Sequence, residues 1–402
     1  MSSAKNLIVA QTGGPSAVIN STLAGIIEEA GCWPEIKEVQ GCINGFYGLL
    51  GEDFVNLSNT TAEQIQRLRN TPAAFLGSSR LHLTKEYFDR IPRIIAKQDA
   101  AYFLEIGGNG TMFAASTIQE QAKQAGLNLQ VVGVPKTVDN DILEMDHTPG
   151  FGSAAKYVAQ TTLDMGIDLW SMRTFEQVRI LEVMGRNVGW LAAAAGLARQ
   201  NEDDAPHLIY LPEVAFDEEA FMADLKQVYD RLGYAIVVIG EGIKDKQGIP
   251  VGTSPFANVQ QGSQVFGGAA AYLADKVAKT LNIRARAQDL GMSQRCFTPV
   301  RSEVDEKEAY LVGRAAVRAA VAGMGGNMVK IAEDTTLSNL RFTTRPLAEV
   351  GGKEKQVPLH FYNQNTKQVT PEFIQWLKPL VGQWNPQYLR LEHITKSKNA
   401  PV

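Results

Sequence analysis

Gly133-Val134-Pro135-Lys136-Thr137-Val138-Asp139-Asn140-Asp141 sets a lysine, a hydroxyl and two carboxylates directly behind a run, Leu129 to Val134, that reads as a short buried strand. After it, Thr148 to Gly166 reads as a helix opening behind Pro149-Gly150. A polar run where a strand ends in an α/β layer is where such folds place their ligands. Asp and Asn also serve plain turns through their backbone behaviour, so the stretch alone supports a simple change of direction equally well. Its neighbours along the chain shift that balance.

Outward from it, short apolar runs alternate with longer amphipathic segments. Leu7 to Ala10, Ala101 to Ile106, Val178 to Val183, His207 to Leu211, Tyr234 to Ile239 and Ile283 to Ala287 read as strands. Pro15 to Ala30, Thr111 to Ala125, Asp217 to Leu232, Ser263 to Thr280 and Asp305 to Gly323 read as helices. The alternation predicts an α/β fold with mostly parallel sheets. From about Thr335 the chain is less regular and richer in Pro, Asn and Gln.

The 402 residues suggest two or three domains, and 45% hydrophobic residues is ordinary for a globular chain. A net charge of −4 without long like-charge runs argues against nucleic acid or a membrane surface as partner. The apolar runs are too short to span a bilayer. Cys32, Cys42 and Cys296 are odd in number and widely spread, as reduced thiols of a cytoplasmic protein would be. The five scattered histidines do not suggest zinc.

Further motifs fall at strand ends. Gln11-Thr12-Gly13-Gly14-Pro15-Ser16 and Ile106-Gly107-Gly108-Asn109-Gly110-Thr111 both join a strand to a helix. There, glycines admit close approach to the backbone and the helix start offers free N–H groups to a phosphate. One such loop is a common tight turn; two in the same placement carry weight. Neither has the spacing of a Walker loop or a dinucleotide fingerprint. Arg80, after Leu76-Gly77-Ser78-Ser79, has the fork to grip phosphate oxygens. Met184-Gly185-Arg186, Glu241-Gly242, Arg286 and Arg295 place further acids and bases at strand ends. Phosphoryl transfer to an alcohol needs a base, cations around the moving group and Mg²⁺ held by carboxylates. Asp139 and Asp141 can divide those tasks beside Lys136 and Thr137.

Taken in order, these stretches resemble the phosphofructokinase family from about Asn6 to Lys330. The run His147-Thr148-Pro149-Gly150-Phe151-Gly152 is similar to its bacterial pyrophosphate-dependent branch. The resemblance implies two Rossmann-like domains with the active site in the cleft between them. Residues 1–145 with about 288–335 would bind the donor and 146–287 the sugar phosphate, with 336–402 a C-terminal extension on the core or at a subunit contact. It implies a cytoplasmic homodimer or homotetramer that uses Mg²⁺ and transfers a phosphoryl group from pyrophosphate, or ATP, to the 1-hydroxyl of fructose 6-phosphate. Asp139 would be the base. Lys136, Arg80 and Thr137 would assist the transfer, and Asn109 and Asp141 would hold the metal. Gly13, Gly14, Arg80, Gly107, Gly108, Asn109, Gly110 and Thr111 would border the donor. Thr137, Asp139, Met184, Gly185, Arg186, Glu241, Arg286 and Arg295 would bind the sugar, with Arg286 reaching across a subunit boundary in many relatives.

Three positions depart from the family pattern. Asn109 stands where many relatives carry a metal-binding Asp. Gly110 stands where the pyrophosphate branch has an Asp that fills the space of a nucleotide α-phosphate, so both donors stay open. Gln177 replaces an arginine of the ATP enzymes, for which Arg179 or Lys156 are the substitutes at hand. A sugar-phosphate-binding protein without catalysis is the remaining alternative.

Overall fold

A computed structural model describes residues 4–252, 268–332 and 339–389. Two sheets organise them. The larger has seven strands in the order β11-β10-β5-β4-β1-β2-β3. These are β1 (Lys5–Gln11), β2 (Ile36–Cys42), β3 (Phe54–Asn56), β4 (Ala100–Gly107), β5 (Gln130–Pro135), β10 (Asn327–Ile331) and β11 (Phe342–Pro346). The smaller has four parallel strands in the order β7-β8-β6-β9, namely β6 (Val178–Val183), β7 (Leu208–Tyr210), β8 (Ala235–Gly240) and β9 (Ala285–Asp289). In the larger sheet β2, β1, β4, β5 and β10 run parallel, and only β3 and β11 are antiparallel.

The inner strands β1, β4, β5, β6 and β8 are buried at nearly every position because both sheet faces are covered there, whereas β3, β9 and β11 at the edges are largely exposed. Alternate side chains enter different cores. Leu7, Val9, Leu104, Ile106, Val132 and Val134 pack on one face of the larger sheet, and Ile8, Ala10, Phe103 and Val131 on the other. In the smaller sheet Leu181, Val183, Ile236 and Val238 face one core, and Val178, Ile180, Ala235 and Val237 the other. Helices α1 (Ile19–Ala30), α2 (Asn109–Gln124), α3 (Phe151–Met172), α4 (Glu218–Leu232), α5 (Ala269–Leu281) and α6 (Glu303–Val321) supply the cover.

The expected helices form, with shifted starts. The helix expected from Pro15 begins at Ile19, which releases residues 15–18 to the loop after β1. The one expected from Thr148 begins at Phe151, because Gly150 has φ +111°. The helix expected from Ser263 begins at Ala269, and Ser263 to Gly267 lie outside the described residues.

The irregular C-terminal part has a definite course. β11 extends the larger sheet by pairing with β10. α7 (Leu347–Val350) packs on α2. Residues 351–358 then cross to the smaller sheet's side, where α8 (Pro371–Val381) lays Phe373 and Trp376 against Trp190 and Phe151. Among the described residues no helix is long and apolar enough to cross a membrane.

Candidate active site

The C-terminal ends of β1, β4 and β5 bring three loops together. Lys136 N–H donates to the Gly107 carbonyl, Thr12 N–H to Ile106, and the Thr12 and Thr111 hydroxyls share a hydrogen bond of 2.6 Å. Gly107 has to be glycine, since a Cβ there would sit 2.0 Å from Thr111 Oγ1. Gly13 and Ser79 are joined backbone to backbone, and Ser78 Oγ donates to the Gly13 carbonyl. The Arg80 turn is thereby fixed against the Gly13-Gly14 loop.

Cations converge on that loop. Lys136 Nζ donates to the Gly14 carbonyl. A Cβ on Gly14 would lie 3.3 Å from Arg295 Nη1 and 3.6 Å from Arg80 Nη2. Burial pushes Lys136 down to about 8 against the pull of Asp141 and Asp139, and Arg295 is lowered by burial and by Arg80. Holding two guanidiniums and an ammonium this close costs free energy through mutual repulsion, which an anion between them would relieve.

The carboxylates face this cluster. Asp139 N–H donates to Thr137 Oγ1 (3.1 Å), and the Thr137 peptide is held by the Pro149 carbonyl and by Thr148 Oγ1. Burial, with Asp141 and Glu241 nearby, pushes Asp139 up to about 7, opposed by Lys136 and Arg186. Asp141 is also raised by burial. Asn109 Nδ2 donates to Asp141 Oδ2 (2.7 Å) and to the Asp141 carbonyl (3.0 Å). Oδ1 of Asn109, Asp139 and Asp141 is in each case buried without a hydrogen-bond partner. Three orphaned oxygen acceptors suit a hard cation that takes one or two carboxylates and completes its shell with water and phosphate. No group of three or more His, Cys, Asp or Glu that could hold a metal occurs among the described residues, so a cation here would depend on those other ligands.

The smaller sheet supplies the opposite wall. Glu241 N–H donates to the Val183 carbonyl, and Met184 N–H to Gln294 Oε1 (2.9 Å), which ties the β6 loop to the segment carrying Arg295. Gly242 lies so close to Arg186 that a Cβ would meet the Arg186 carbonyl at 1.6 Å. Met184, Gly185, Arg186 and Glu241 thus form one rim, close enough for Arg186 and Glu241 to act electrostatically on Asp139. The start of α3 is closed, because Asp305 accepts from Gly150 N–H, Ser153 N–H and Ser153 Oγ. That leaves the Gly107–Thr111 loop as the phosphate-type helix start.

One expected residue is not gathered here. Arg286 lies at the far end of β9, beside Arg179 in register, exposed and paired with Glu176 at 2.7 Å. Arg295 sits against the Gly13-Gly14 loop and Arg80. Arg179 is held by Asp168 and Glu176, and Lys156 lies 3.5 Å from Glu303, so both substitutes for the missing arginine have acidic partners. The sequence assigns no role to Asn187, the last residue of the Glu182–Asn187 motif, or to Glu354 and Lys355. The last two lie in a stretch without any phosphate-type pattern, and only the fold brings them to Asp141.

Two mostly parallel sheets with cations and carboxylates gathered at their strand ends make this a two-sheet α/β protein. Residues 6–320 match the phosphofructokinase family, and the chain belongs to it. It is 37% identical to the pyrophosphate–fructose 6-phosphate 1-phosphotransferase of Rhodospirillum rubrum, over 96% of each chain. It is also 37% identical to a sulfofructose kinase of Alkalicoccus urumqiensis, over 93% of this chain and 94% of the other. The crystal structure of the pyrophosphate-dependent phosphofructokinase from Marinobacter aquaeolei superposes with a TM-score of 0.83 at 34% identity, covering 96% of this chain and 94% of that one.

Proposed function

We propose that this protein is a phosphofructokinase that transfers a phosphoryl group from pyrophosphate to the 1-hydroxyl of fructose 6-phosphate, giving fructose 1,6-bisphosphate. The observation that carries the reading is the convergence of Lys136, Arg80 and Arg295 on the Gly13-Gly14 loop, opposite Asp139 and Asp141. In this reading the larger sheet with residues up to about 145 and 288–335 carries the donor, and residues 146–287 carry the sugar.

Asp139 takes the proton from the attacking hydroxyl, a task suited to a carboxyl raised to about 7. Lys136, Arg80 and Arg295 offset the negative charge on the moving phosphoryl group and the leaving phosphate, and Thr137 hydrogen-bonds a phosphoryl oxygen. Met184, Gly185, Arg186 and Glu241 orient the sugar. Asn109 and Asp141 would hold Mg²⁺, which supplies further charge neutralisation when bound. Arg286, exposed on the edge strand β9, reaches the sugar phosphate of a second copy, making the enzyme a cytoplasmic homo-oligomer with shared sites.

ATP is the second reading, favoured by position 110. A Cβ built on Gly110 meets nothing within 4 Å, so the space that a carboxylate would fill against a nucleotide is open. Two unit charges about 4 Å apart repel by roughly 4 kcal/mol at an effective dielectric near 20. Gly110→Asp should therefore abolish any ATP use while sparing pyrophosphate far more. Specificity constants for both donors, in wild type and variant, check this. An unchanged ratio would remove position 110 from donor choice, and wild type acting with ATP alone would replace the pyrophosphate reading. Sulfofructose belongs beside fructose 6-phosphate as acceptor, given the relative of that name.

A further inference from the structure

The segment just after α7 lies beyond the residues that match the family, yet it runs through the site. Gly352 N–H donates to the Asn109 carbonyl, and Lys355 N–H to the Asp141 carbonyl at 2.8 Å. Glu354 bridges Ile142 in an antiparallel pair. On the other wall, Asn187 Nδ2 donates to Glu354 Oε1 (2.9 Å), Gln356 Nε2 to the Asn187 carbonyl, and Val357 N–H to Glu213 Oε1, which also accepts from Gly189 N–H. One hexapeptide thus bonds the donor helix, the metal-directed carboxylate residue and the loop after Arg186.

Lys355 anchors it. Its ammonium donates to the Met145 and Asp146 carbonyls at 2.8 and 2.7 Å and stands 4.7 Å over the Trp190 ring, while the Trp190 indole N–H donates to the Lys355 carbonyl. Withdrawing an ammonium from water is costly unless it is paired, so a lysine here has to be held by such contacts. Those contacts close the loop 141–146. The Asp141 carbonyl receives two donors, Lys355 N–H and Asn109 Nδ2, while Oδ1 of the Asp141 carboxylate and Oδ1 of the Asn109 carboxamide are each buried without a partner.

We propose that residues 352–357 form a strap that sets Asp141 relative to the loop after Arg186, with Lys355 as its anchor and a positioning residue for phosphoryl transfer. This rests on the phosphofructokinase reading for its kinetic consequence, but not for its effect on the metal site. The test is Lys355→Met in the full chain, which keeps an apolar stem on Trp190 and removes both ammonium bonds. Misplacing a reacting constellation by about 1 Å costs on the order of 10²-fold, and losing an outer partner of a metal ligand costs roughly 10–100-fold in metal affinity. The variant should lose about tenfold or more in kcat with a much smaller change in KM for fructose 6-phosphate. Calorimetric affinity for Mn²⁺ with imidodiphosphate, a non-transferring pyrophosphate analogue, should fall with it, and Lys355→Arg should recover part of both. A lower melting temperature with kcat and Mn²⁺ affinity intact would reduce the strap to scaffolding and overturn the proposal. Should Lys355→Met fail to fold, Glu354→Ala cuts the tie to Asn187 from the exposed side. It should shift both readouts in the same direction, and wild-type values would overturn the proposal. If wild type transfers from no donor, the functional reading fails alone, and the Mn²⁺ affinities still decide the strap.

Discussion

Two buried carboxyls, one in the loop after β5 and one within β4, have opposite uses. Asp139, at the end of β5, faces a cation cluster that can hold its substrate, and Asp139→Ser should lower turnover by about 10²–10⁴-fold, the usual worth of a positioned base, with fructose 6-phosphate binding largely kept. Turnover within a few-fold of wild type would take Asp139 out of that role. Glu105, in the middle of β4 between Ala10 and Gly133, has both oxygens buried without a partner. Burial raises it well above the usual carboxylate range. A group raised in the folded state favours folding less as pH climbs past its unfolded value, since only the unfolded chain then ionises. Glu105→Leu should thus stabilise the protein by about 1–3 kcal/mol at pH 8. That gain should shrink toward pH 4, as read by denaturant unfolding at both values. A pH-independent gain would show that Glu105 ionises in the fold.

Residue identity alone pointed to much of the candidate cluster. Lys136, Asp139 and Asp141 are polar groups on the end of an apolar run, and the two glycine loops repeat one placement. Arg295 shows the limit. Its sequence neighbours say nothing of Arg80, and only the link from Gln294 to Met184 and the approach to Gly14 reveal which side of the cleft it occupies. Arg295→Lys should accordingly raise KM for the donor at least as much as KM for fructose 6-phosphate, because an ammonium cannot copy the guanidinium fork. A change confined to the sugar's KM would place Arg295 on the acceptor.

At the scale of elements, strand and helix periodicity located most of the parallel layers. The misplaced helix starts have local causes, such as the positive φ of Gly150. Less visible was how α1 and α6 cross. A Cβ on Gly25 would lie 2.0 Å from the Tyr310 carbonyl, and one on Gly313 would lie 2.1 Å from that of Thr22. The helices touch backbone to backbone behind β1, whose end carries the Gly13-Gly14 loop. Gly313→Ala should push them apart and cost about 1–3 kcal/mol or more through overpacking, offset only slightly by better helix propensity. A melting temperature at or above wild type would mean that the crossing yields without strain.

For the whole molecule, the stretch from about Thr335 onward was the least legible, and for a physical reason. Its order comes from pairing with distant partners, β11 with β10 and Lys355 with the 141–146 loop, rather than from periodicity of its own. Arg286 presents the same difficulty at one scale higher, since within a single chain its side chain is exposed and paired with Glu176. If sites are shared, an inactive Asp139→Ser chain refolded with an inactive Arg286→Ala chain should regain activity through hybrid sites. Failure of every mixture to recover, or a fully active monomer in sedimentation, would place the whole site in one chain.

If the cation cluster and Asp139 together transfer a phosphoryl group to a fructose phosphate, the initial rate of fructose 1,6-bisphosphate formation from fructose 6-phosphate and Mg²⁺, with pyrophosphate and ATP supplied separately, shows it. Product should form with pyrophosphate and be lost when Asp139 is replaced by serine. No product from wild type with either donor would contradict it.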